Sequence, residues 1–300
     1  MVETSMETQM NKLTSALRFL IALAWLTVAT SQPQAQELSK LPYVPTPQLV
    51  VDEMLKMADV TAKDFVVDLG SGDGRMILTA AKNYKANGLG VDIDPKLVDL
   101  SNQEAKSQGL ADRAKFIEQD MFKADLSKAT VVTLYVLPDF MEKLRPKLLS
   151  EMKPGTRIVA HDYYMSDWYP DRQATLTVPE KVKANGTDKA YLYLWTVPAV
   201  VLGHWRMDLD VGDGKPQLIV LSFNQKYQII NAAAESRAGP LSVDKPLLKG
   251  DELEFALTLG ATNYRFTGKV QGDKIEGTAI SVPSSKPIAW RANKLPPDKK

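Results

Sequence analysis

From Leu41 to about Pro198, short apolar, β-branched runs alternate with segments of helical period, the pattern of βαβ units laid on a parallel sheet. The runs predict strands at Phe65 to Leu69, Gly88 to Ile93, Ala114 to Glu118, Thr130 to Val136, Arg157 to Ala160, Ala174 to Val178 and Ala190 to Val197. Helices are expected between them at Gln48 to Ala58, Gly74 to Tyr84, Pro95 to Gln108 and Pro138 to Met152. Thr46 makes a reasonable N-cap for the first of these, with Pro47 at its first helical position, and Pro95 suits a first turn, where its missing N–H is no loss. Between the last two strands, Asn185-Gly186 predicts a hairpin-like turn rather than a helix. Residues 41–198 therefore read as one α/β domain.

After Pro198 the helical period disappears. Alternating runs are punctuated by glycine turns at Val211 to Lys215, Lys249 to Asp251 and Val270 to Lys274, so residues 199–293 are expected to form a separate antiparallel β domain, a barrel or a sandwich, with 294–300 a loose tail. At the other end, Lys12 and Arg18 precede the apolar run Phe19 to Ala29, which gives way to small and polar residues up to Ala35. That order is an export signal, so residues 1–35 are expected to act as a signal peptide for a periplasmic or secreted protein, with an uncleaved anchor or a mitochondrial presequence as the alternative. The run falls well short of the roughly 20 residues a spanning helix needs, and no integral span is expected.

Composition removes several chemistries. Lys+Arg 37 against Asp+Glu 36 gives a net charge of +1, so no overall field recruits nucleic acid, and no nucleic-acid partner is expected. The absence of cysteine excludes disulfides, thiolate nucleophiles and cysteine-held zinc. His161 and His204 are the two histidines; no cluster shows ligand spacing, and no metal is expected. His204, beside Trp205, reads as structural.

The chemistry concentrates in Asp64-Phe-Val-Val-Asp-Leu-Gly-Ser-Gly-Asp-Gly-Arg75, where a strand runs into a glycine turn and then a helix. Gly70, Gly72 and Gly74 are spaced two apart, unlike the G-x-G-x-x-G of dinucleotide sites. Asp68, two residues before the first glycine, would repel a pyrophosphate but suits the sulfonium and ammonium ends of S-adenosylmethionine (SAM). The next strand ends near Asp92, placed to accept both ribose hydroxyls, with Asp94 as second choice. After the third strand, Asp120 can accept from an adenine amino group while Met121 packs on the ring. Arg75 is expected to make a helix-start or carboxylate contact.

These ordered elements resemble the class I SAM-dependent methyltransferases over about residues 41–197, implying a Rossmann-like seven-stranded methyltransferase sheet with SAM as cofactor. Tyr43-Val-Pro-Thr-Pro47, Asp68 to Arg75 with Ala80-Ala-Lys82, Leu134-Tyr-Val-Leu-Pro138 and Trp168-Tyr-Pro-Asp171 after His161-Asp-Tyr163 are similar to the group containing the mitochondrial lysine methyltransferases of the ATP synthase c-subunit and the adenine nucleotide translocase, with bacterial relatives. The resemblance implies a protein-lysine acceptor, with a small molecule as the alternative, and suggests that Tyr43 to Pro47 closes over the methionine end of SAM. An exported binding protein with a vestigial SAM pocket is the non-enzymatic rival. Tyr135, Pro138 and His161 are the candidate residues on the catalytic side. Tyr135 offers a hydroxyl or simply packs; His161 acts as a general base or caps nearby backbone. Tyr163 and Trp168 are further candidate walls. Oligomeric state is left open.

Overall fold

Strands buried on both faces belong in the middle of a parallel sheet, and two strands buried along nearly their whole length take that place here. The computed structural model describes residues 43–211, 217–282 and 286–297. The expected signal peptide therefore lies outside the described residues, as do residues 212–216 of the first glycine turn and 298–300 of the tail. Strand β1 (Phe65–Leu69) and β4 (Val131–Leu134) lie side by side in parallel register, with Val66, Val67, Val131 and Val132 fully buried. With β2 (Asn87–Asp92), β3 (Ala114–Glu118), β5 (Arg157–His161), β6 (Arg172–Thr177) and β7 (Lys189–Thr196) they form a seven-stranded sheet of order β3-β2-β1-β4-β5-β7-β6. β7 runs antiparallel to both its neighbours.

Helices α1 (Gln48–Met57), α3 (Pro95–Ser107) and α4 (Pro138–Glu151) lie near their expected spans, and α2 (Arg75–Thr79) starts where expected. Three expectations are corrected. The helix expected from Gly74 to Tyr84 is α-helical only to Thr79, then widens into a π turn over Ala80–Tyr84 that ends on left-handed Lys85. Between β6 and β7 there is a short helix, α5 (Lys181–Asn185), closed by left-handed Gly186, where a plain turn was expected. Thr46 also does not cap α1: Pro47 holds the cap position, and its carbonyl accepts from Val50 (2.9 Å) and Val51 (3.0 Å).

The second sheet contains β8 (Gly203–Leu209), β9 (Gln217–Lys226), β10 (Ile229–Ser236), β11 (Gly239–Leu241), β12 (Val243–Lys249), β13 (Glu252–Leu259), β14 (Thr262–Gln271), β15 (Lys274–Val282) and β16 (Pro287–Lys294). It is one antiparallel sheet, β11-β10-β9-β8-β16-β15-β14-β13-β12. β10 also comes against β12, so the sheet curls toward closure and is barrel-like rather than a sandwich. Its interior is filled: Phe255 and Phe266 stack at 4.8 Å, and Trp290 meets both edge-on at 5.6 Å.

The sheets meet at the β9–β10 hairpin. Trp168, fully buried in the β5–β6 segment, stacks on Tyr227 at 5.4 Å and donates from Nε1 to Gln228 (2.8 Å). Tyr227 donates its hydroxyl to Asp167 (2.9 Å), and Asp167 also pairs with Lys226 (2.9 Å) and with Arg145 of α4 (3.0 Å). Trp168 therefore belongs to this joint and is not an acceptor wall.

Candidate active site

Parallel strands bring their carboxyl ends to one edge of the sheet, and open α/β sheets bind ligands there. β1 turns out of the sheet through Gly70, Gly72 and Gly74, all with positive φ (+85°, +53° and +80°), a sequence of conformations that favours glycine. The third glycine is also fixed by packing, because a Cβ at Gly74 would lie 2.7 Å from the Phe116 ring and 2.8 Å from Ser101 Oγ. A Cβ at Gly70 would meet only Val136, at 3.7 Å, so this side of the bend opens toward the segment after β4.

The direction of the loop amides decides between ligands. Gly70 N and Ser71 N donate to Val91 O (2.8 and 3.0 Å), Gly72 N to Asp92 Oδ2 (2.7 Å) and Gly74 N to Ser71 O (2.9 Å). A pyrophosphate cradle needs such N–H groups turned toward the ligand; here they are consumed within the chain. What the edge presents instead is carboxyl groups. Asp68 is buried next to Thr133, whose hydroxyl donates to it at 2.5 Å. Burial pushes the Asp68 pKa up to about 7, with the Asp92 and Asp73 charges adding and the Thr133 hydrogen bond opposing. Asp92 also takes the Asp94 amide (3.0 Å), and Asp94 caps α3 by accepting from Lys96 N (2.9 Å). Buried Asp120 accepts from Phe122 N (2.9 Å) at the start of a 3-10 turn containing buried Met121. Acceptors of this kind fit a ligand rich in donors and positive charge, as SAM is, and the glycine bend gives its methionine end room; the residues present fit the cofactor.

Arg75 makes the expected carboxylate contact. It grips Asp73 through Nε (2.9 Å) and Nη2 (2.6 Å) and donates from Nη1 to Thr46 O (2.7 Å), tying the segment before α1 to the glycine loop. Beyond β4, Tyr135 is half-buried and Pro138 stands exposed in the first turn of α4. The Tyr135 ring lies 4.1 Å from that of His161, and Tyr163 stacks at 6.3 Å. His161 itself is fully enclosed. Its Nε2 faces the Lys181 ammonium at 3.3 Å, and its Nδ1 has no partner, so it caps no backbone. An ammonium only donates, so Nε2 carries the lone pair and Nδ1 the proton. Burial pushes the His161 pKa down to about 4, with Lys181 adding and Asp162 opposing. A proton gained in general-base work would have to land on the nitrogen that faces a cation, which tells against that role. His204 pairs with Ser222 in the second sheet (2.7 Å). Lys181 and the Asp162 grip on it escaped the sequence reading, because nothing in the stretch Val178 to Val182 marks a lysine that folds inward.

Fold and cradle together are those of a class I SAM-dependent methyltransferase. A family model described as the ANTKMT methyltransferase domain matches residues 68–172. The chain is 43% identical over 131 residues to a protein-lysine N-methyltransferase of Saccharolobus islandicus, covering 43% of this chain and 81% of that one. It thus belongs to the family of that protein-lysine N-methyltransferase and is related to the ATP synthase c-subunit and adenine nucleotide translocase lysine methyltransferases. It is also 33% identical over 153 residues to the ATP synthase c-subunit lysine N-methyltransferase of Xenopus laevis, covering 51% of this chain and 66% of that one. A crystal structure of an RNA methyltransferase from Salinibacter ruber with S-adenosyl-L-homocysteine shows 46% identity, covers 53% of this chain and 96% of its own, and superposes with a TM-score of 0.48. The protein is an enzyme that uses SAM.

Proposed function

We propose that the enzyme methylates a lysine side chain of a protein. The observation that carries this reading is the aromatic pair Tyr135 and Tyr163, with the enclosed His161 packed against Tyr135, at the ends of β4 and β5 and next to the open side of the glycine bend. A lysine acceptor must arrive as the neutral amine against a reference pKa of about 10.4, and an aromatic surface without a nearby free carboxylate disfavours the ammonium. The names of the Saccharolobus and Xenopus relatives support the same acceptor.

When bound, SAM supplies a methyl group activated by a cationic sulfur. In this reading Asp68 faces the positive methionine end, Asp92 accepts the ribose hydroxyls, Asp120 takes the adenine amino group and Met121 packs on the base, while Gly70, Gly72 and Gly74 keep the floor low. Tyr135 and Pro138 border the acceptor, keep water from the reacting nitrogen and hold it in line with the methyl. Such alignment can supply on the order of 7 to 11 kcal/mol of the barrier. Residues 1–35, as an export signal, would direct the enzyme to acceptors outside the cytosol.

The test is purified protein with tritiated-methyl SAM and fractionated cell extract. Label recovered as methyllysine after protein hydrolysis is the expected result; label confined to RNA or to solvent-extractable small molecules would overturn the lysine reading.

A further inference from the structure

The carboxyl end of β5 holds a buried ionic group that methyl transfer as described does not use. Lys181, the first residue of α5, is 2% exposed. Its ammonium donates to both oxygens of Asp162, at 2.7 Å to Oδ1, and to His161 Nε2 at 3.3 Å. Replacing a buried ion pair by apolar side chains is often neutral or stabilising, so stability alone does not account for it. Two further features mark the place. Asp162 sits at φ +64°, in the left-handed region that non-glycine residues rarely adopt. It is pinned there by β7, donating its amide to Tyr191 O (2.7 Å) and accepting the Tyr191 amide on Oδ1 (3.1 Å). The second feature is His161 Nδ1, a buried polar atom without a hydrogen bond, in a site where such groups call for a functional account.

The charged and titratable groups around the imidazole are Tyr135 from the end of β4, Asp162 from the end of β5 and Lys181 from α5, while Tyr193 of β7 faces the Asp162 charge. We infer that Lys181 is a positioning residue for the acceptor side: by occupying Asp162 and donating to Nε2, its ammonium holds His161 as the neutral Nδ1–H tautomer, so the enclosed ring packed against Tyr135 places no positive charge directly behind it. Without Lys181, the nearest charge to Nε2 is Asp162 Oδ1 at 3.4 Å, which favours an imidazolium. The positive charge would then sit on the ring itself, tilted against Tyr135 at 4.1 Å, instead of on the Lys181 ammonium 3.3 Å beyond Nε2. The benefit to catalysis rests on the lysine-acceptor reading; the state of the ring does not.

With two histidines in the chain, long-range proton–nitrogen NMR resolves each imidazole. In the unaltered protein His161 is expected to remain the neutral Nδ1–H tautomer from about pH 8 down to about pH 6, where an unperturbed histidine is already half charged. In Lys181→Met the ring is expected to titrate at least about one pH unit higher, and kcat/KM for the lysine acceptor to fall about tenfold near neutral pH and recover at alkaline pH, with SAM affinity retained. Adding Asp162→Asn to that variant removes the carboxylate that draws the proton, and is expected to return both the neutral ring and the lost rate. An Nε2–H tautomer or an imidazolium at neutral pH in the unaltered protein overturns the inference whether or not the variants fold. So does an unchanged His161 titration in Lys181→Met, or peptide mass spectrometry that finds the transferred methyl on Lys181 itself. If the ring follows Lys181 as described but label enters a non-amine acceptor, the lysine reading falls and the assignment of Lys181 to the ring stands.

Discussion

At the scale of single residues, Asp68 shows how a position legible in a sequence can have a chemistry that is not. Its place before the glycine bend marks it, in the proposed reading, as the carboxyl for the methionine end of the cofactor. That it is held to about pH 7 before losing its proton follows from burial and from Asp92 and Asp73, which only the fold brings near. A cation beside it favours the ionised form, so SAM binding should release a proton at acidic pH. Calorimetric SAM affinity is expected to fall as pH drops below about 7, by up to about tenfold per pH unit, and to level off above it. Asp68→Asn is expected to bind more weakly with that slope gone, whereas Asp92→Ala loses about 1–3 kcal/mol at every pH. A slope retained in Asp68→Asn would refute the assignment. The free protein responds in the opposite sense. The unfolded chain ionises near 3.8 and the folded one near 7, so Asp68 lowers stability as pH rises through that window, and the asparagine variant should melt higher than the unaltered protein at alkaline pH.

At the scale of elements, strands and long helices were readable because their apolar residues repeat at the period of the structure. α5 was not. It spans five residues, its Val182 is 52% exposed, and what anchors it is the Lys181 contact with Asp162, a pairing across 19 residues that no local pattern encodes. The π turn after α2 was equally invisible, since Ala80 and Ala81 satisfy helical periodicity either way. The glycine loop lies between these cases: its spacing announced a bend, but the need for Gly74 comes from α3 and β3. Ser101 donates to Gly72 O (3.1 Å) while Phe116 closes over Gly74. Gly74→Ala is expected to cost about 2–4 kcal/mol in urea unfolding, combining backbone strain with overpacking. Gly109→Ala has comparable φ (+67°) and open space around its Cβ, so it should cost only about 1 kcal/mol. Equal losses would show that strain alone sets the requirement.

At the scale of the molecule, the loss of helical period at Pro198 announced two sheets, but the choice between barrel and sandwich depends on β10 reaching β12, a contact between strands that do not follow one another. The joint was likewise hidden. Trp168 reads as a loop aromatic until Tyr227 is seen stacked on it. If this joint makes the two sheets unfold together, Tyr227→Ala should lower the melting temperature and split a single calorimetric transition into two; an unchanged single transition would show that the sheets are coupled elsewhere. The same seam limits protein engineering. A minimal catalyst cut after Val197 would carry a naked indole and an aspartate stripped of its lysine and tyrosine, so any shortened version of this enzyme needs that surface rewritten before it can be expected to stay in solution.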